Sequence, residues 1–325
     1  MDLIRTRYLS ALRLDRTDQN FMRSLFLPVM HEIKTWKIIL GFFIISIFYI
    51  LGSFLFGIFC SSIPICSFSN GLGRTPLNLL FVLFTFVPIW IGVWVAMKFI
   101  HHIPMKVLFS PSGKLDLQRL FKAFFMMLFL GVSIESGFQF IPLISKYINY
   151  EPNNILTFSD WTKWLLPVLL FIFVQSAAEE LVFRGYLLQL IWSKNAGYVY
   201  AVILPSLIFG LLHFDSQSYG TNAWYYCFNT FVVGCLLCLI TLHTGSLSLA
   251  FGLHWGGNTV SLVFFGIYGN LDGMALWLTY LDPKSTAMGV ALIFSTFLIV
   301  LIYSLWALFY FGSFLPVFEV KKPKQ

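Results

Sequence analysis

The chain has 325 residues, of which 58% are hydrophobic, 19% aromatic and only 11% charged. A soluble domain with one core could not hide so much apolar surface, so a soluble globular protein is excluded and a polytopic membrane protein is expected. The net charge of +7 suits basic residues beside spans, facing anionic lipid heads; no basic–aromatic nucleic-acid module is visible, and no nucleic-acid partner is expected.

Residues 1–35 are polar with interspersed Leu3, Ile4, Leu9, Leu12, Phe21 and Leu25, which suits either an interfacial helix on the cytoplasmic face or a loose tail. The first long apolar run begins near residue 36 and exceeds the roughly 7–15 residues of a cleavable signal, so it is expected to stay as an anchor. A helix needs about 20 apolar residues to cross the hydrocarbon layer. About eight windows meet that length: 36–60, 76–97, 121–143, 164–190, 197–214, 223–243, 246–268 and 290–312. They form one all-α transmembrane domain over 36–312, followed by a basic tail at 313–325. An even number of spans puts both ends on one side. That side holds all 21 Lys and Arg residues except Arg74, Lys146, Lys163 and Lys284, so both termini are read as cytoplasmic, in the plasma membrane if the source is bacterial.

Among the five cysteines, Cys227, Cys235 and Cys238 share one apolar window and read as small packing residues, whereas Cys60 and Cys66 could pair in an oxidising compartment. Polar turn residues gather in external loops around 61–75, 144–160 and 270–288. The many Phe and Trp residues read as lipid-facing, packing or interfacial side chains and indicate no cofactor. Glu135 and Gln139, one turn apart in the third window, either line a substrate path or, the favoured role, serve as a structural partner for a neighbouring helix.

The fourth window contains Glu179-Glu180-Leu181-Val182-Phe183-Arg184. A charged side chain at mid-membrane costs roughly 2.5–3.5 kcal/mol on insertion scales, so this cluster demands partners or a use. Residues four apart share a helix face. Glu180 and Arg184 therefore stack in the favourable acid-before-base order, with Ser176 on the same stripe, while Glu179 points about 100° away with Gln175 beneath it. Glu180–Arg184 reads as structural and Glu179 as chemical; a purely structural ion-pair network is the competing reading. The fifth window ends in Phe209-Gly210-Leu211-Leu212-His213 and the seventh contains His254-Trp255-Gly256-Gly257-Asn258. His254 and Asn258 share a face, and Gly252 and Gly256 present a small surface that lets another helix approach closely. A carboxylate, two imidazoles and an amide are the parts of a hydrolytic site: a base for water, a proton carrier and oxyanion donors. On straight, upright helices Glu179 would lie about 22 Å, His213 about 24 Å and His254 about 13 Å from the cytoplasmic ends of their spans. Convergence therefore calls for tilt, a kink at Pro205 or span ends shifted by a turn.

Glu-Glu-x-x-x-Arg, Phe-x-x-x-His and His-x-x-x-Asn, each in its own span and in this order, resemble the CAAX prenyl endopeptidase and bacteriocin-processing (CPBP, or Abi) family of intramembrane proteases. The flanking Phe183-Arg184-Gly185 and Thr244-Gly245-Ser246-Leu247 agree, and the resemblance covers about 164–260. It implies a membrane endopeptidase with its site among the fourth, fifth and seventh spans. By resemblance, Glu179 activates the attacking water with help from His213, Glu180 and Arg184 brace the site, and His254 and Asn258 stabilise the oxyanion. The family is often labelled metalloprotease, which makes His213, His254 and Glu179 candidate zinc ligands; a metal-free glutamate mechanism is favoured, because no His-Glu-x-x-His occurs and Asn is a poor zinc ligand. The implied partners are the bilayer and a membrane-associated or prenylated peptide or protein. The alternative is a non-enzymatic scaffold, or a proton-coupled transporter using the same polar residues.

Overall fold

The structure is a computed structural model describing residues 33–61, 71–141, 145, 148–154, 156–193 and 199–316. The N-terminal polar segment up to residue 32, Cys66 with its proposed link to Cys60, and the tail beyond residue 316 lie outside the described residues.

Each of the apolar windows is helical. In chain order the helices are α1 (Thr35–Ser61), α2 (Pro76–His101), α3 (Leu117–Phe138), α4 (Phe158–Trp192), α5 (Val199–Leu211), α6 (Ser216–Thr244), α7 (Ser248–Thr259 with a π-helical turn over Val260–Phe264) and α8 (Thr286–Phe311). Among the described residues six helices, all but α5 and α7, are long and apolar enough to cross a membrane by length and composition. The fifth and seventh of the about eight expected spans are shorter helices among the described residues, the fifth ending at Leu211 and the seventh turning into a strand at Phe265. Polar side chains mark several starts. Thr75, Asp116, Thr157 and Ser285 each accept a hydrogen bond from the backbone N–H three residues on, satisfying donors that a helix leaves unpaired.

Helix α4 is the centre of the bundle. Its 35 residues span about 52 Å at 1.5 Å per residue, well beyond a hydrocarbon core of about 30 Å. From Gln175 to Leu190 every residue is buried. Ala177, Ala178, Leu181, Val182 and Tyr186 pack against Ile38 and Ile45 of α1, Val93 and Met97 of α2, Phe209 of α5 and Phe251 of α7. Outward apolar side chains such as Phe43, Ile50 and Phe54 of α1 remain exposed, as a lipid-facing surface requires. The small-residue contact expected on α7 is present: a Cβ at Gly256 would lie 2.8 Å from the Phe124 carbonyl oxygen and from Met127 Cβ of α3, and one at Gly252 would collide with the Leu120 carbonyl. In α6, Cys227 and Cys238 are buried.

One departure from an all-α chain is a small sheet of β1 (Tyr150–Pro152), β2 (Phe265–Ile267) and β3 (Trp277–Thr279), in the order β1-β3-β2. Tyr150 opposes Thr279 in the antiparallel pair, and Phe265 opposes Trp277 in the parallel one. Strands of three residues carry too little alternation to be read from sequence. The Arg74–Asp272 ion pair, at 2.8 Å, ties the start of α2 to the β2–β3 loop. Glu135 and Gln139 are structural here: Tyr150 Oη donates to Glu135 Oε2 at 2.9 Å, Tyr150 N–H to Gln139 Oε1 at 3.3 Å, and Gln139 Nε2 to the Ile148 carbonyl at 3.2 Å. Their partner is the approach to β1, not the neighbouring helix that was expected.

Candidate active site

Helix α4 changes its winding directly after the glutamate pair, continuing as a π-helical segment over Leu181–Leu187. Such wider turns recur at functional sites. Arg184 lies inside that segment, fully buried, and its Nη1 donates to Glu180 Oε1 at 2.8 Å. Its guanidinium also stands 4.6 Å from the centroid of the Phe209 ring, a cation–π contact from α5. Glu180 therefore has the built-in partner that its spacing predicts.

His254 reaches this pair from α7. Its Nδ1 is 2.8 Å from Glu180 Oε1, and its Nε2 is 3.5 Å from Glu179 Oε2, so the ring bridges the adjacent carboxylates. Its neighbour Trp255 sets the rotation of α7: the indole Nε1 donates to the Leu169 carbonyl of α4 at 3.0 Å, and the ring lies 4.0 Å from that of Phe124 in α3. Gly245, in the left-handed conformation at φ 63°, stops α6 just before α7 begins.

Exposure separates the two glutamates. The side chains of Glu180 and Arg184 are 0% exposed, whereas those of Glu179 and His254 retain 11% and 12%. A small reactant can thus touch only the second pair. Glu179 Oε2 has no hydrogen-bond partner, and its charge acts on the hydroxyls of Tyr49 in α1 and Tyr226 in α6.

Two of the expected residues make other contacts in this structure. His213 sits in the turn after α5, where its Nδ1 lies 2.8 Å from the Phe209 carbonyl and its ring 6.0 Å from that of Tyr226; no hydrogen bond or ion pair joins it to Glu179. The helix that would carry it deeper ends at Leu211. Asn258 shares a face with His254 as expected, but its Nδ2 donates to Gln175 Oε1 at 2.8 Å and Ser176 Oγ at 3.2 Å. Its donors are committed to the turn of α4 beneath the glutamates and not to a shared oxyanion. Gln175 and Ser176, noted in sequence only as neighbours on the stripe, are the anchors of that link. Phe209 gains a role that its motif did not reveal, lying 4.9 Å from Phe183, 4.7 Å from His213 and 6.2 Å from His254 between ring centroids.

Of the candidate zinc ligands His213, His254 and Glu179, the last two lie together at 3.5 Å, and no hydrogen bond or ion pair joins His213 to them. His254 Nδ1 is held by Glu180 and His213 Nδ1 by a backbone carbonyl, and among the described residues no group of three His, Cys, Asp or Glu side chains is placed to hold a metal ion.

Residues 161–260, from the first turns of α4 to the π turn of α7, match the model of the family described as Rce1-like, type II CAAX prenyl endopeptidase. This stretch is similar to the domain of that family. It contains every site residue expected from the sequence: Glu179, Glu180, Arg184, His213, His254 and Asn258. The chain is also similar to the uncharacterized protein YyaK of Bacillus subtilis (strain 168), 25% identical over 269 residues, which cover 78% of this chain and 87% of that protein. The matched stretch leaves α1–α3, the sheet and α8 outside it, although α3 supplies the surface on which Gly252 and Gly256 seat α7.

Proposed function

We propose that the protein is an intramembrane endopeptidase that hydrolyses a peptide bond of a membrane-associated substrate with a water activated by Glu179. The observation that carries this reading is the division within the glutamate pair: one carboxylate is sealed on Arg184, whereas the other side chain keeps partial exposure and stands 3.5 Å from an imidazole nitrogen. A water that reaches the exposed edge of Glu179 also stands beside His254, with a base and a donor at hand. Glu179 takes the proton of this water and its oxygen attacks the carbonyl carbon, forming a tetrahedral oxyanion. Glu180, ionised against Arg184, accepts from His254 Nδ1 and so turns Nε2 toward the reacting atoms. With His254 protonated, two carboxylates face two cations and the buried set is neutral; Nε2–H then donates to the oxyanion. Collapse passes the proton held by Glu179 to the departing amide nitrogen, leaving a carboxylic acid and an amine, and the acid's proton then passes to the amine to give a carboxylate and an ammonium. Asn258 and Gln175 act as positioning residues that lock α7 to α4.

The family match supports peptidase chemistry over a scaffold or a proton-coupled transporter. It also makes a prenylated, C-terminally processed protein a natural substrate class to try first, because the family is described as CAAX prenyl endopeptidases. The test is cleavage of a prenylated peptide and of an unmodified membrane peptide by purified protein in lipid nanodiscs, with and without chelator. Cleavage that persists undiminished in chelator is expected, since no step passes through a metal. Loss of turnover on chelation, restored by zinc, would overturn the metal-free reading, and no cleavage of any membrane peptide would count against the peptidase.

The basic asymmetry places both termini in the cytoplasm of a multi-pass protein. Asp282 and Lys114 stand at opposite ends of the bundle in this reading. A cysteine replacing Asp282 should react with an impermeant maleimide in intact cells, and one replacing Lys114 only after lysis; the reverse pattern would invert the topology.

A further inference from the structure

At the end of α2 the chain forms a cavity of about 580 Å³ lined by Trp94, Lys98, His102, Ile103, Pro104, Met105 and Lys106. No Asp or Glu lines it, and no carboxylate pairs with Lys98 or Lys106 within ion-pair distance among the described residues. The cavity is shaped by the backbone. α2 ends in a π-helical turn, His102 follows in the left-handed conformation (φ 57°, ψ 35°), and Pro104 leads into a 3₁₀ turn at Met105–Leu108, which brings Lys98, His102 and Lys106 around one opening. Left-handed geometry is uncommon for a residue with a Cβ.

Both lysines are held. The Lys98 ammonium sits 4.6 Å from the centroid of Trp94 and 5.2 Å from that of Phe99, its stem laid along exposed aromatic surface. The Lys106 stem lies against Gly113, where an added Cβ would come within 3.4 Å of Cγ and Cδ. Trp94 and Phe99 are exposed on the outer surface, where lipid chains run, and the opening lies at the end of a span, at headgroup depth. The C-terminal carbonyls of α2 present about half a negative charge there; the basic side chains outweigh it.

The geometry points to this cavity as a site for the phosphodiester headgroup of an anionic phospholipid, with Lys98 and Lys106 as its cationic walls and Trp94 and Phe99 beside its acyl chains. The site is separate from the glutamate cluster and does not depend on the protease reading. The end of α2 beside it is nevertheless linked to α4, because His101 Nε2 lies 2.8 Å from the hydroxyl of Tyr186, which also donates to the Ile38 carbonyl of α1 at 3.1 Å.

The test uses full-length protein in detergent micelles doped with dioleoylphosphatidylglycerol or dioleoylphosphatidylcholine, with retained lipid counted by native mass spectrometry. Selective retention of phosphatidylglycerol is expected, weakened about five-fold for each lysine removed by Lys98→Gln and Lys106→Gln. Lys122→Gln, an equal loss of charge on exposed α3 surface outside the cavity, should leave retention unchanged. His102→Asn, which keeps the left-handed backbone, gives a second variant should a lysine change disturb folding, and it too should lower retention. Equal retention of the two lipids, or an equal loss in Lys122→Gln, would overturn the site; displacement of the lipid by millimolar inorganic phosphate would make it a free-anion site instead.

Discussion

Glu179→Gln should abolish proteolysis in purified protein while leaving thermal unfolding close to wild type. The amide keeps the size of the side chain but cannot take a proton from water, and loss of a general base typically lowers turnover by a factor on the order of 10²–10⁴. Substrate affinity should change little, because the proton moves only on the way to the transition state. Folding should be spared for a local reason. Glu179 has no hydrogen-bond partner on Oε2, and its nearest ionic neighbour, His254 Nε2, is 3.5 Å away. Replacing a poorly compensated buried carboxylate with a neutral isostere removes as much desolvation cost as attraction, so a stability change within about 1 kcal/mol is expected. Turnover in detergent or nanodiscs, with thermal unfolding of the same preparation, decides it. Full activity in Glu179→Gln would remove this residue from the chemistry, and a large fall in unfolding temperature would mean that its role is to hold the helices together.

The parts of this site that could be read in sequence are those encoded within one helix. Glu180 and Arg184 meet because four residues make nearly one turn, and the structure returns that pair at 2.8 Å. The close approach of α7 was likewise carried by Gly252 and Gly256, whose missing side chains admit α3. Contacts between helices were not legible, because nothing local fixes which faces meet or at what depth. The sequence placed His254 and Asn258 on one face, but not the contact of His254 with both glutamates or that of Asn258 with Gln175 and Ser176. The local winding was not legible either: a π segment follows Glu180, and the described part of α5 begins with a π turn at Val199–Ile203, leads to Pro205 and ends at Leu211, before His213. Tyr49 and Tyr226, which feel the charge of Glu179, could not be singled out among 14 tyrosines. The three-residue strands lay below any periodic signal. In a chain that is apolar almost throughout, hydropathy marks where helices run, and only the rare polar residues report what they do.

Glu180→Gln should behave in the opposite way to Glu179→Gln, losing stability as well as activity. Arg184 is fully buried, and its Nε and Nη2 have no hydrogen-bond partner, so Glu180 Oε1 and the face of Phe209 are what offset its charge. Removing one member of a buried ion pair leaves the other uncompensated and typically costs about 3–5 kcal/mol. Arg184→Met should cost a similar amount, because it leaves Glu180 with only the imidazole of His254. The double variant Glu180→Gln/Arg184→Met carries no orphan charge there and should recover part of the stability lost in either single change. Activity should not recover with it. In the double variant His254 Nδ1 still has an amide oxygen within reach, but that oxygen bears no charge to hold the imidazolium, and Nε2 loses its fixed aim at the oxyanion. Unfolding temperatures and turnover across the four-member cycle therefore distinguish bracing from chemistry: stability regained with activity still absent is the expected result. If Glu180→Gln proves no less stable than Glu179→Gln, the ion pair is not the brace of the site, and the roles assigned to the two glutamates must be exchanged or shared.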